Sequence, residues 1–135
     1  MNKLHYETKI KLHDTDAVGI IFFSNLFKIA HDAWEFVLDR IGFPIKDILD
    51  KLDFKLVIIH AEADFLYPLK VNDDIIVKIK VEKIAKTSFK LYYNIMDISH
   101  KTVAEVKTVH VCIDKKNSRK KPLSNEFITA LKAYL

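Results

Sequence analysis

The stretch Leu12-His13-Asp14-Thr15-Asp16-Ala17-Val18-Gly19-Ile20-Ile21-Phe22-Phe23-Ser24-Asn25 decides how this chain is read. It leads from an alternating segment, through a polar turn with two aspartates and a glycine, into a long apolar helix that runs to about residue 40. The helix is expected because Leu26, Ile29, Ala30, Ala33, Trp34, Val37, Leu38 and Ile41 recur at helical spacing, with Ser24 or Asn25 available as its cap. One carboxylate, Asp16, therefore stands on a turn just ahead of a buried helix start. Unpaired backbone N–H groups at such a start can polarise a carbonyl.

Working outward, residues 6–12 alternate and predict a first strand. Gly42 ends the long helix, and Pro44 opens a short second helix to about residue 51. Residues 54–67 predict a strand with Val57, Ile59, Ala61, Ala63 and Phe65 on one face, the small side chains letting a helix approach. Further strands follow with Ile75, Val77, Ile79 and Val81 on one face, then from Thr87-Ser88 to about residue 98, then over residues 102–114. A basic stretch, residues 115–121, leads through Pro122 to a short amphipathic helix carrying Phe127, Leu131 and Leu135. The expected order is strand, helix, then four strands in a meander. That is an α+β plan in which an antiparallel sheet wraps one long helix, because both must bury an apolar face. Such a sheet leaves an open edge, and the expected remedy is a homodimer or homotetramer.

Half of the 135 residues are apolar, enough for one domain over residues 1–135 with a real core. Two glycines and three prolines leave no linker, and no repeat is present. The net charge of +4 would suit an anionic ligand, but ordinary solubilising charge is the commoner reason for it. The single cysteine, Cys112, excludes an internal disulfide and reads as a small core residue in a reducing compartment. The N-terminal stretch lacks a signal-peptide core and no apolar run is long enough to span a bilayer, so a cytoplasmic protein without a membrane span is expected. Residues 115–121 carry no interleaved aromatics, which argues against a nucleic-acid partner. No histidine, cysteine or carboxylate spacing fits a metal site and no glycine-rich phosphate loop occurs, so neither a metal nor a bound cofactor is expected.

The segment Asp14-Thr15-Asp16-Ala17-Val18-Gly19-Ile20-Ile21-Phe22-Phe23-Ser24-Asn25 resembles the signature of the 4-hydroxybenzoyl-CoA thioesterase family of hotdog-fold proteins. Ile58-Ile59-His60-Ala61-Glu62-Ala63-Asp64-Phe65 is similar to the family's second strand, so the likeness covers nearly the whole chain. The resemblance implies a hotdog fold, a five-stranded antiparallel sheet around one helix, and hydrolysis of an acyl-CoA thioester. It implies that Asp16, three residues before Gly19, attacks the thioester carbonyl or activates water. It also implies that the Phe23 backbone N–H holds the oxyanion. Asp14 is assigned to turn support, and Gly19 to close backbone approach or a positive φ. Phe23 stands where the thioesterases linked to the bacterial Tol-Pal system tend to have histidine, which sets this chain apart from that branch.

Residues 12–19 and His31-Asp32-Ala33-Trp34-Glu35 look closer to the 1,4-dihydroxy-2-naphthoyl-CoA hydrolases of quinone biosynthesis. An aromatic or short acyl-CoA is therefore the expected substrate, with coenzyme A as part of it and not as a cofactor. His60 and His13 are candidates for contact with the acyl group, and both also suit a solvated position. Thr87 and Ser88 are candidates for the pantetheine or acyl end. Lys86, with Lys83 and Lys90, is the candidate for the phosphates, or else these lysines simply solvate a strand edge. Two other readings stay open. One is a noncatalytic module of the same fold that binds an acyl-CoA or acyl-carrier protein; the other is an interaction protein whose residues 115–121 recruit an acidic partner.

Overall fold

The computed structural model describes residues 4–135, and residues 1–3 of the N-terminal stretch lie outside the described part. The elements are β1 (His5–Lys9), α1 (Phe23–Arg40), α2 (Ile45–Asp50), β2 (Phe54–Phe65), β3 (Asp74–Ile84), β4 (Ser88–Met96), β5 (Thr102–Asp114) and α3 (Asn125–Tyr134). All five strands form one antiparallel sheet in the order β1-β3-β4-β5-β2.

The expected meander is therefore correct only for β3, β4 and β5. β2 lies at the far edge against β5, and β1 takes the opposite edge against β3. The reason is α1, which lies across the sheet and touches both edge strands. A chain that enters the helix from one edge leaves it at the other, so β2 starts there and the connection to β3 must cross back.

The helical periodicity holds: Leu26, Ile29, Ala30, Ala33, Trp34, Val37 and Leu38 are all buried against the sheet. Gly42, at φ +96°, reverses the chain after α1, and the Phe43 N–H closes the end on the Leu38 carbonyl. Trp34 meets Phe89 and His110, whose rings stack at 4.9 Å. Phe127 of α3 fits among Phe43, Phe54 and Phe89 and closes one end of the core. Ser124 caps α3 by accepting from the Phe127 N–H.

Other expectations need correction. β1 stops at Lys9, because Ile10 turns into the core and exchanges backbone bonds with Asn72 and Asp73, while Leu12 begins a short 3-10 turn. β4 ends at Met96, where the Asp97 carboxylate gathers the Ser99 and Lys101 N–H groups into a turn. On β2, a bulge between Ile58 and His60 reverses the alternation. Leu56 and Ile58 pair with the buried Cys112 and His110, and beyond the bulge Ala61, Ala63 and Phe65 pair with Thr108, Val106 and Ala104. Directly paired residues share a face, so the inward set is Leu56, Ile58, Ala61, Ala63 and Phe65; Val57 is not part of it, nor is Ile59, which falls in the bulge and is exposed. Cys112 is buried as read, and burial pushes its thiol pKa up.

Candidate active site

Asp16 sits at the root of a miniature hairpin. Thr15 bridges to Ile21, the Asp16 N–H donates to the Ile20 carbonyl at 2.8 Å, and the Ile21 N–H donates to Leu69 at 2.8 Å. One carboxylate oxygen of Asp16, Oδ1, accepts from the Val18 N–H (2.9 Å) and the Ile20 N–H (3.2 Å). Oδ2 has no hydrogen-bond partner among the described residues, and the residue is exposed. A single side chain thus braces its turn with one oxygen and offers the other. Gly19 reaches φ +79°, and a Cβ there would meet nothing closer than 4.0 Å. Its need for glycine is conformational; close approach is not the reason.

Asp14 behaves differently two residues earlier. It is buried, its Oδ2 accepts from the Lys11 N–H at 2.9 Å, and its carbonyl accepts from the Phe22 N–H at 2.9 Å. That is a turn-supporting position.

Neither Ser24 nor Asn25 caps α1. Phe22 occupies the cap position with no side-chain acceptor, and the first turn holds no acidic residue. Among the described residues the backbone N–H groups of Phe23 and Ser24 have no partner. An uncapped start typically costs about 1 kcal/mol relative to a Ser or Asp cap. What it leaves is a pair of donors at the positive end of the helix, suited to an oxygen that gains charge.

Phe23 also lines an apolar cleft of about 390 Å³, together with Ile20, Ile21, Phe65, Leu66, Tyr67, Pro68 and Leu69. A larger groove of about 730 Å³ lies between α1 and α2, but Asp32, Glu35, Asp39 and Asp50 line it with Lys46 as the only cation. Four carboxylates repel a polyphosphate, so the smaller cleft beside Asp16 is the better site on chemical grounds.

Asp16, Gly19, Phe23 and His13 come together at this end of the molecule. His13 is exposed, with Nε2 3.6 Å from Asp14 Oδ1. The other candidates do not join them within one chain. His60 stands on the outer face of the sheet, bonded to Glu62 at 3.0 Å. Glu62 is held below the usual carboxylate range, mainly by that bond. Ser88 pairs with Val111, which pairs with Val57, whereas the cleft begins at Phe65, eight residues further along β2 and about 26 Å away at the rise of a strand. Thr87 and Lys86 sit at that far end, their carbonyls accepting from Cys112 and Leu123. Lys83 lies nearby across from Lys90, and Lys90 leans toward Glu82 at 3.7 Å.

Sequence reasoning missed two features. The cleft wall at residues 65–69 is an apolar run that continues past a strand end, which was the available signal. The second is that residues 115–121 fold back beside Lys86, since the Lys121 N–H donates to the Cys112 carbonyl and the Cys112 N–H to Thr87. Two basic segments far apart in sequence are neighbours here. Within the loop, Lys115 donates to the Ile48 and Leu49 carbonyls at the end of α2, and Lys121 bonds Asp53 at 2.9 Å.

The described residues hold no group of three potential metal ligands and no helix long and apolar enough to cross a membrane. Residues 10–131 match the family described as the thioesterase-like superfamily. The chain is 32% identical over 130 residues to a 1,4-dihydroxy-2-naphthoyl-CoA hydrolase of Rippkaea orientalis, covering 95% of this chain and 94% of that one. It is 38% identical over 118 residues to the protein of the same name from Microcystis aeruginosa, covering 87% and 85%. The crystal structure of a 1,4-dihydroxy-2-naphthoyl-CoA thioesterase from Synechocystis superposes with a TM-score of 0.88 at 29% identity, covering 97% of this chain and 96% of that one. By matched span, relatives and architecture, the chain belongs to the thioesterase-like superfamily and is a hotdog-fold thioesterase.

Proposed function

We propose that this protein is cytoplasmic and hydrolyses an aromatic acyl-CoA thioester to the free acid and coenzyme A, and that 1,4-dihydroxy-2-naphthoyl-CoA is its substrate. The names of its relatives support the acyl group, and the single buried cysteine fits a reducing compartment. What supports the chemistry is a carboxylate with a free oxygen on the turn that leads into α1, whose first two N–H groups are unpartnered and whose Phe23, like Ile20 next to the Asp16 turn, lines an apolar cleft.

In this reading the aryl group lies in the cleft and the thioester oxygen accepts from the Phe23 N–H. Asp16 then acts in one of two ways. It attacks the carbonyl carbon, the C–S bond breaks to release the CoA thiolate, and water cleaves the resulting anhydride. Alternatively it takes the proton from a water that attacks directly, and the same acid and thiol leave.

The reading includes a homodimer at least. β2 is a twelve-residue edge strand with Ile59 64% exposed on it, an arrangement that invites pairing with a second copy. Antiparallel pairing of two β2 edges about a two-fold axis turns the far end of one protomer toward the cleft of the other. Lys86 of the partner subunit then faces the phosphates of a CoA whose acyl end lies beside Asp16.

Thiol release from a panel of acyl-CoAs, followed with a free-thiol reagent, tests the proposal. Hydrolysis is expected for the aryl-CoA, and Asp16→Asn is expected to lower it by at least about 100-fold. Absence of thiol release from every member, or an Asp16→Asn variant that matches the parent, overturns it. Stabilisation of the fold by acyl-CoA without turnover points instead to a binding module.

A further inference from the structure

We infer that Asn25 is a positioning residue for this hydrolysis, acting by clamping the start of α1 to the turn that carries Asp16; this rests on the reading of Asp16 and Phe23 given above. The Asn25 side-chain N–H donates to the Asp14 carbonyl at 3.0 Å, across eleven residues of sequence. The same carbonyl accepts from the Phe22 N–H, and the Asp14 carboxylate is itself anchored on the Lys11 N–H. The carbonyl of a buried residue two positions before the carboxylate is thus tied both to the residue before the oxyanion donor and to the first turn of its helix.

Asn25 does not serve the helix in the ordinary way. Its side chain makes no cap, and an asparagine inside a first turn is a poorer helix former than the alanine or leucine the position would otherwise take. A local choice that works against its own element, spent on a bond to the loop, is the mark of a site held for function. Among the described residues it is the side-chain bond that ties the first turn of α1 itself to this loop; the other ties run through the hairpin that precedes the helix. Displacement of one reacting group by about 1 Å is enough to cost on the order of 100-fold in rate.

The test is steady-state kinetics on Asn25→Leu, close in size but without a donor, with Asn25→Asp as a second donorless variant and Asn25→Gln to retain the amide. Both donorless variants are expected to lose about 10- to 100-fold in kcat with KM within about two-fold, while Asn25→Gln recovers part of the loss. Thermal unfolding measured on the same samples is expected to stay close to the parent. Unchanged kcat, a rise in KM alone, or a loss of activity that tracks loss of folded protein, including failure of both donorless variants to fold, overturns the inference. If Asp16→Asn abolishes thiol release and Asn25→Leu does not, only this inference falls. If Asp16→Asn matches the parent, the reading of the site falls with it.

Discussion

Asp14 and Asp16 are the same residue type two positions apart, and their environments give them opposite duties. Asp14 is buried with its Oδ2 bonded to the Lys11 N–H, so Asp14→Ala leaves that N–H without its partner and is expected to cost about 1–3 kcal/mol, read as a lowered unfolding midpoint in urea. Asp16→Asn keeps an acceptor for Val18 and Ile20, so its unfolding midpoint is expected to match the parent even as hydrolysis fails. Reversal of that pattern would exchange the two roles. Gly19→Ala forces an L side chain to φ +79° and is expected to cost roughly 1–2 kcal/mol, with activity falling as well because the Ile20 N–H that orients Asp16 shifts with the turn. From the sequence the two aspartates were separable only by their distance to Gly19, since burial is not written in residue type.

Among the elements, β5 carries an unusual buried group. His110 lies on the inward face with Nε2 2.8 Å from the Thr108 hydroxyl, which in turn meets the Tyr93 hydroxyl at 3.0 Å. Burial pushes the His110 pKa down to about 4, with the nearby His31 adding a smaller effect in the same direction. The fold therefore favours neutral imidazole. Stability from this residue is fully present above the unfolded-state value near 6.5, declines as pH falls through the interval down to about 4, and levels off below. The loss amounts to on the order of 3 kcal/mol. Denaturation at pH 7 and pH 4.5 is expected to show that drop in the parent and a smaller one in His110→Phe; an equal drop in both would place the acid sensitivity elsewhere. Such a histidine looks, in sequence, like any other polar residue in an alternating strand. Its inward position follows from the pairing of β5 with β4 and β2, which no single segment contains.

At the scale of the whole molecule, Asp16 and Lys86 stand at opposite ends of one protomer, and the proposed dimer brings one of each together. Asp16→Asn and Lys86→Glu, each impaired alone at low substrate concentration, are expected to regain activity when co-expressed, because a mixed dimer then holds one site with both groups intact. Activity no greater than the sum of the two separate variants would place the lysine in its own chain's site. The sequence by itself determined α1 through its helical spacing, the α+β plan, the turn with Asp16 and Gly19, and the likeness that named the family, because each depends on residues near one another in the chain. Only the tertiary structure decided that β2 lies at the far edge, that its bulge reverses the inward face, that α1 begins at Phe23 without a side-chain cap, and that residues 115–121 lie beside Lys86. Each of those outcomes depends on hydrogen bonds between segments distant along the chain. Which of those segments can meet depends on α1 lying across the sheet, which sets the strand order.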